Sequence, residues 1–170
     1  MMNFNDVFAE VVGTEGTAPS TDVNDPGNWS SGIVGQGQFK GSRYGISAEW
    51  FPNVNFATLT YTQAQALAQT KYWDPYQCSQ FDIRIGYLIF DAAYNGGHPA
   101  QWLQAAVGVP QDGVIGAQTV AAVRSADPLK VAMQFMASRF KYWVQCAAWA
   151  AEGAGWVDRG AENLQTVAEN

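Results

Sequence analysis

Glu15, Asp22 and Asp25 are residues whose type and spacing suggest reaction chemistry. They fall within VVGTEGTAPSTDVNDPGN, Val11 to Asn28, where an apolar, helix-like run stops at Gly13 and a Thr/Gly-rich break begins. Only 14% of the chain is charged, so three carboxylates there are a concentration. A carboxyl at a helix end, backed by apolar residues, has its ionised form disfavoured by desolvation and keeps a proton near neutral pH. Glu15, preceded by Val11 and Val12, fits that description. A second carboxylate opposite it would direct water or stabilise positive charge on a sugar ring, and such a pair is what glycosidic cleavage requires. Asp22 and Asp25 follow in the Gly-rich stretch where that group would be wanted. Each of the three also has a plainer reading: Glu15 as a cap, Asp22 and Asp25 as turn-formers.

Composition narrows the chemistry further. The 170 residues are 48% hydrophobic, enough for one well-buried domain with room for a small lobe. Seven Trp and seven Tyr leave rings to spare for lining a groove. A net charge of −6 provides no basic stripe for phosphates, so no nucleic-acid partner is expected. The most apolar segment, near 83–93, is too short to span a bilayer and carries Arg84 and Asp91, so no membrane span is expected either. No basic leader with an apolar core opens the sequence, which predicts synthesis in the cytoplasm and release by another route. Cys78 and Cys146 lack metal-ligand spacing with the single histidine, His98, and read as two reduced thiols. One histidine also removes most zinc and Ser-His-Asp schemes. Acid–base work then falls to carboxylates, with no metal and no organic cofactor implied.

The elements that must position these groups are mostly helical. Phe4, Val7, Phe8, Val11 and Val12 recur at helical spacing, predicting a first helix from Asn3 or Asn5 to Gly13. Residues 16–45 are rich in Gly, with no helical period, and read as a loop or irregular hairpin lobe. Trp29, Ile33, Val34, Phe39 and Tyr44 argue that this lobe is more than a solvated linker. Thr60 or Thr62 caps a helix to about Lys71, and the stretch from Phe81 predicts a buried central helix stopped by Gly96–Gly97. Short helices follow over PAQWLQAAVGV and Gln118–Arg124. Asp127 and Pro128 open a long helix to about Ala151, Gly153 and Gly155 break it, and Trp156–Ala168 forms the last one. Inside the buried helix Asp91 must be paired, and His98 before Pro99 reads as a helix cap. Trp29, Trp50, Trp73 and Tyr94 are core by default, with one or two available to stack on sugar rings.

TEGT at 14–17, DVNDPGN at 22–28, RYGIS at 43–47, KYWD at 71–74 and FDAAYNGG at 90–97 occur in one order. That order resembles glycoside hydrolase family 108, the phage-endolysin and secretion-associated N-acetylmuramidases. The family pattern runs E-G-G, N-D-P-x-D-P-G-G, N-Y-G-I-T, Y-W and F-D-x-x-x-N-x-G. PAQWLQAAVGVPQDGVIGAQTVAAV resembles the peptidoglycan-binding-type helical segment that closes such proteins. The likeness covers about Phe4 to Val123. Thr17, Val23, Asn28 and Arg43 depart from the pattern, and WSSGIVGQGQFKGS resembles an insertion in the lobe.

The resemblance implies a mainly α, lysozyme-like single domain with a small Gly-rich irregular or β lobe inserted after the first helix. Residues 1–80 would form its catalytic part, and 81–170 the peptidoglycan-binding-type part, packed into the same globule. It implies cleavage of the β-1,4 bond between N-acetylmuramic acid and N-acetylglucosamine in peptidoglycan glycan strands. Glu15 would be the general acid and Asp22 or Asp25 the second carboxylate. Tyr44 and Asn95 fall on family site positions, and together with Trp73 and Tyr94 they are the expected substrate contacts. The expected setting is a phage or prophage endolysin made in the cytoplasm and acting on the periplasmic wall, with a separate holin or secretion machinery for release. A non-catalytic wall-binding module, a chitinase-like carbohydrase and a secretion-associated muramidase are the alternatives.

Overall fold

Helices carry most of the computed structural model, which describes residues 2–13 and 18–170. The chain divides into two compact units, Asn3–Lys71 and, apart from the first residues, Tyr72–Asn170. The architecture is mainly α and lysozyme-like, with a small two-stranded sheet in the Gly-rich stretch after the first helix, as the sequence predicts.

In the first unit, α1 (Phe4–Val12) begins with a reciprocal cap. The Asn3 side chain accepts the Asn5 N–H at 2.8 Å, and the Asp6 carboxylate accepts the Asn3 N–H at 2.8 Å. Its apolar stripe buries Val7, Phe8 and Val12, and the helix ends at Gly13, which has φ 59°. Strands β1 (Ser42–Arg43) and β2 (Ile46–Ser47) pair antiparallel, Arg43 opposite Ile46. Tyr44 and Gly45 between them both have positive φ, the requirement of a tight two-residue hairpin turn. Isolated bridges Ser20–Ser42 and Trp29–Phe39 extend the lobe. At Gly41 the backbone passes so close to the Ser20 carbonyl oxygen that a Cβ would overlap it, and φ is 86°. Helix α2 (Tyr61–Ala68) starts on a second reciprocal cap, Thr60 with Gln63, and runs into a π-helical turn, Gln69–Trp73.

The second unit is built around α3 (Ile83–Tyr94), in which every residue from Ile85 to Ala92 is buried. Asp82 caps it, accepting the Arg84 N–H at 3.1 Å. Helix α4 (Pro99–Val107) packs against α6 (Pro128–Trp143), and the Trp102 ring meets Phe135 edge-on at 5.7 Å. Between α4 and α5 (Ala117–Ser125), buried Gln104 accepts the Gly113 N–H at 2.9 Å and donates to Asp112 at 2.6 Å, fixing the PQDGVIG turn. The last helix differs from expectation. Helix α6 stops at Trp143, residues 144–148 turn, and α7 runs unbroken over Trp149–Glu169, with Gly153 and Gly155 inside it. Glycine in a helix costs about 1 kcal/mol against alanine, but here it admits rings. Gly153 lies under the Trp149 indole, and a Cβ at Gly160 would overlap the Phe140 ring.

Candidate active site

Glu15, the expected proton donor, lies outside the described residues. The two expected partners are described. Asp22 is exposed, and its Oδ1 accepts the Asn24 N–H at 2.9 Å. Half-buried Asp25 caps the short 3-10 turn Pro26–Asn28, its Oδ1 accepting the Gly27 N–H at 2.8 Å. Both therefore form turns through one carboxyl oxygen. That geometry is compatible with chemistry: backbone N–H groups fix each carboxylate's direction without neutralising it. The Asp25 N–H reaches the Asp22 carbonyl at 3.4 Å, so the two sit on one small turn system.

Asn28 joins this turn to the rest of the lobe. It is fully buried; its Nδ2 donates to the Asp22 carbonyl at 2.9 Å and to Ser20 Oγ at 3.1 Å. Its own carbonyl accepts the Lys40 and Gly41 N–H groups at 2.9 and 3.1 Å. The stretch WSSGIVGQGQFKGS folds back on itself: Trp29 and Phe39 rings lie 5.4 Å apart, and the Trp29 indole N–H donates to the Val23 carbonyl at 2.9 Å. In the sequence Asn28 stands out only as a departure from glycine. A buried asparagine that holds an aspartate turn carries no distinct local signal, because its partners come from both arms of a loop.

Tyr44 stands at the tip of the hairpin with φ 53°, a left-handed conformation that costs a non-glycine residue about 1–2 kcal/mol. Its half-buried ring is held between the Arg43 guanidinium, 4.8 Å from the ring centre, and Tyr61, edge-on at 5.6 Å. Arg43 in turn donates to the Leu59 carbonyl at 3.0 Å, so the residue that departs from the family's asparagine ties β1 to the segment entering α2. Trp50 is exposed, with the Lys71 ammonium 4.7 Å from its ring centre.

The remaining expected contacts belong to the second unit. Trp73 is 3% exposed; its indole N–H donates to Ser79 Oγ at 2.7 Å and its ring packs on Phe90, so it fulfils its core reading. Tyr94 is half-buried against Tyr72 and Phe90, at 5.1 and 5.3 Å between ring centres. Asn95 caps the C-terminus of α3, exposed, its Nδ2 donating to the Asp91 carbonyl at 2.9 Å. Asp91 is paired, as a buried charge must be: Arg139 and Arg159 both donate to its carboxylate, Arg159 Nη2 at 2.6 Å. His98 occupies the cap position of α4, yet its side chain makes no capping hydrogen bond; the ring packs edge-on against Tyr142 at 5.2 Å. Burial pushes the Cys78 thiol pKa well above its ordinary value, which leaves it unreactive. Among the described residues no cluster of His, Cys, Asp or Glu is arranged to hold a metal ion, and no helix is long and apolar enough to cross a membrane.

A mainly helical, lysozyme-like body with an aspartate-bearing lobe after its first helix is the class of protein that emerges. The family model of glycosyl hydrolase 108 matches residues 8–97, more than half of the chain, and the chain belongs to that family of glycoside hydrolases. Among solved structures, it resembles Brucella abortus SagA with a TM-score of 0.79 at 24% identity, over 98% of this chain and 94% of that one. No curated protein sequence gives a significant match.

Proposed function

We propose that this glycoside hydrolase is a peptidoglycan muramidase, cleaving the β-1,4 bond between N-acetylmuramic acid and N-acetylglucosamine. Glu15 gives its proton to the glycosidic oxygen as the bond from the sugar C1 breaks, and the N-acetylglucosamine side leaves as an alcohol. Asp22 or Asp25 supplies the second carboxylate, either drawing a proton from the water that attacks C1 or stabilising the oxocarbenium charge that develops there. Tyr44, Tyr94 and Asn95 are the proposed contacts to the glycan, with Trp73 as the buried support behind Phe90 and Tyr94.

The family match carries this reading. The matched range, residues 8–97, includes Glu15, both aspartates, Tyr44 and Asn95. The lobe aspartates add support, since each is oriented by a backbone N–H on a turn that Asn28 anchors. The proposed setting is the periplasmic wall of a bacterial host. The protein would reach it from the cytoplasm as a phage or prophage endolysin through a holin-type pore, with delivery by a secretion system as the alternative.

Clearing of permeabilised Gram-negative cells tests the reaction. Wild-type protein clears them, and Glu15→Gln is slower by about 10²–10⁴-fold while still bound to sacculi. Equal lysis by Glu15→Gln removes Glu15 from the mechanism. Mass spectrometry of the digest gives muramic acid at the new reducing ends; glucosamine there would instead identify a different glycosidase.

A further inference from the structure

Trp50 is the exception among the seven tryptophans: all are described, and it alone is exposed, at 56%. It is not loosely held. The Glu49 N–H before it donates to the Gly27 carbonyl at 3.2 Å, and the Phe51 N–H after it donates to the Ser47 carbonyl at 3.0 Å. Gly27 is also the residue whose N–H orients Asp25, so the backbone carrying Trp50 is tied directly to the aspartate turn. The Lys71 ammonium covers one face of the indole, 4.7 Å from the ring centre, and among the described residues no aromatic ring packs on the other. A large apolar ring that is fixed in place yet left open forgoes the free energy that burial would have recovered.

In the same unit, the segment that follows Trp50 and helix α2 wall a groove of about 510 Å³. Val54, Leu59 and Leu67 make its apolar lining, Asn55 and Gln63 stand among its polar groups, and no lining residue carries a charge. Lys71 directly follows Thr70, the last residue of the helical wall, and Trp50 precedes the opposite wall, so their pair stands at one end of the groove. Both amides are aimed by their own oxygens. Asn55 Oδ1 accepts the Ala57 N–H at 3.1 Å, and Gln63 Oε1 accepts the Thr60 N–H at 2.9 Å. A backbone N–H can only donate, so each amide oxygen is fixed on that side and its NH2 group is turned elsewhere. Among the described residues neither NH2 group is engaged.

Neutral walls, two amide donors and an open indole face describe a receptor for an uncharged ligand that is rich in acceptor oxygens and has flat C–H faces. A peptide end or a phosphate would find no counter-charge in the lining. A pyranose ring meets both requirements: its polarised C–H bonds face the negative face of the indole, and its oxygens accept from the amides. An acetamido group adds a carbonyl acceptor and a methyl that the apolar lining can cover. We propose that Trp50 and the groove beyond it form a subsite for N-acetylated glycan, holding sugars further along the strand than those at the aspartate turn. This ligand class rests in part on the muramidase reading above. Lys71 serves as a positioning residue, keeping the indole in one orientation by a cation–π contact.

Titration calorimetry and tryptophan fluorescence on the full chain carrying Glu15→Gln test the proposal without turnover. The probes are chitotetraose, which carries acetamido groups and no carboxylate, and maltotetraose, which has as many rings and no acetamido group. Chitotetraose should bind saturably and change the fluorescence, with maltotetraose at least about tenfold weaker. Adding Trp50→Ala should cost about tenfold or more in chitotetraose affinity, and Trp50→Phe, which keeps a ring face, should cost less. Gln63→Glu keeps the oxygen that caps α2 and removes only the NH2 group, so it should bind about threefold or more weakly without loss of fold. The proposal is overturned if chitotetraose does not bind, if maltotetraose binds as well, or if Trp50→Ala and Gln63→Glu both bind like the parent. Failure of the wild-type chain to clear cells, with Trp50-dependent chitotetraose binding intact, would overturn the muramidase reading and leave this site standing. Clearing by the wild type, with binding indifferent to Trp50 and Gln63, would do the reverse.

Discussion

The lobe aspartates and Asp91 are the same functional group held in opposite ways. Asp22 and Asp25 lie at or near the surface, and each is oriented by a backbone N–H two residues further on. Asp91 is 1% exposed and receives two guanidiniums. A carboxylate aimed by neutral donors keeps its charge available to a developing cation on a substrate. A carboxylate saturated by arginines has its charge consumed by the fold. Burial alone therefore does not mark a catalytic acid; what matters is which partners already hold the group.

Breaking the saturated carboxylate should have the largest effect on folding. Asp91→Asn leaves the buried Arg139 and the half-buried Arg159 facing a neutral amide, and urea denaturation should show a loss of about 3–5 kcal/mol. A loss below about 1 kcal/mol would mean that the network is not what holds α3, α6 and α7 together. The lobe should respond in the reverse sense. Asn retains the Oδ1 that caps each turn, so Asp22→Asn and Asp25→Asn should each change stability by no more than about 0.5 kcal/mol. One of them should nevertheless lower cell-wall clearing by about 10²-fold. If neither does, the second carboxylate lies elsewhere.

A third carboxylate, Asp82, sharpens the comparison from between the two extremes. Its hydrogen bond from Arg84, Nε to Oδ1 at 2.7 Å, is the main cause that holds its pKa below the usual value, opposed by partial burial. A carboxyl whose pKa is lowered on folding adds stability above its unfolded value of about 3.9, and this is lost as pH falls through the lower folded value. Because both side chains are partly exposed, the contribution should be no more than about 1 kcal/mol. Asp82→Asn should therefore reduce stability slightly at pH 6 and flatten its decline below about pH 4. An unchanged acid limb would show that this pair contributes nothing measurable.

Much of this architecture is legible from short stretches of sequence. Asn3, Thr60 and Asp127 start or cap helices where residue type and the following period predict, since a cap is satisfied by an N–H two or three positions away. The aspartates of DVNDPGN form turns for the same local reason. The break between α6 and α7 was not legible. Gly153 and Gly155 look like helix breakers, but Gly153 is packed against the Trp149 ring, Gly160 against Phe140, and Gly155 faces open space. His98 shows the same limit: its position as a cap follows from Pro99, while its ring is claimed by Tyr142.

The sequence by itself determined the helical elements, their caps, the Gly-rich lobe and the ordered motifs that place the chain among glycosyl hydrolases. It also required that Asp91, set in an apolar helix, be paired. Only the tertiary structure decided by what, because Arg139 and Arg159 lie 48 and 68 residues further along the chain. Local hydrogen bonding and periodicity are written within a few residues. The matching of buried charges depends on how helices pack, which no short stretch of sequence contains.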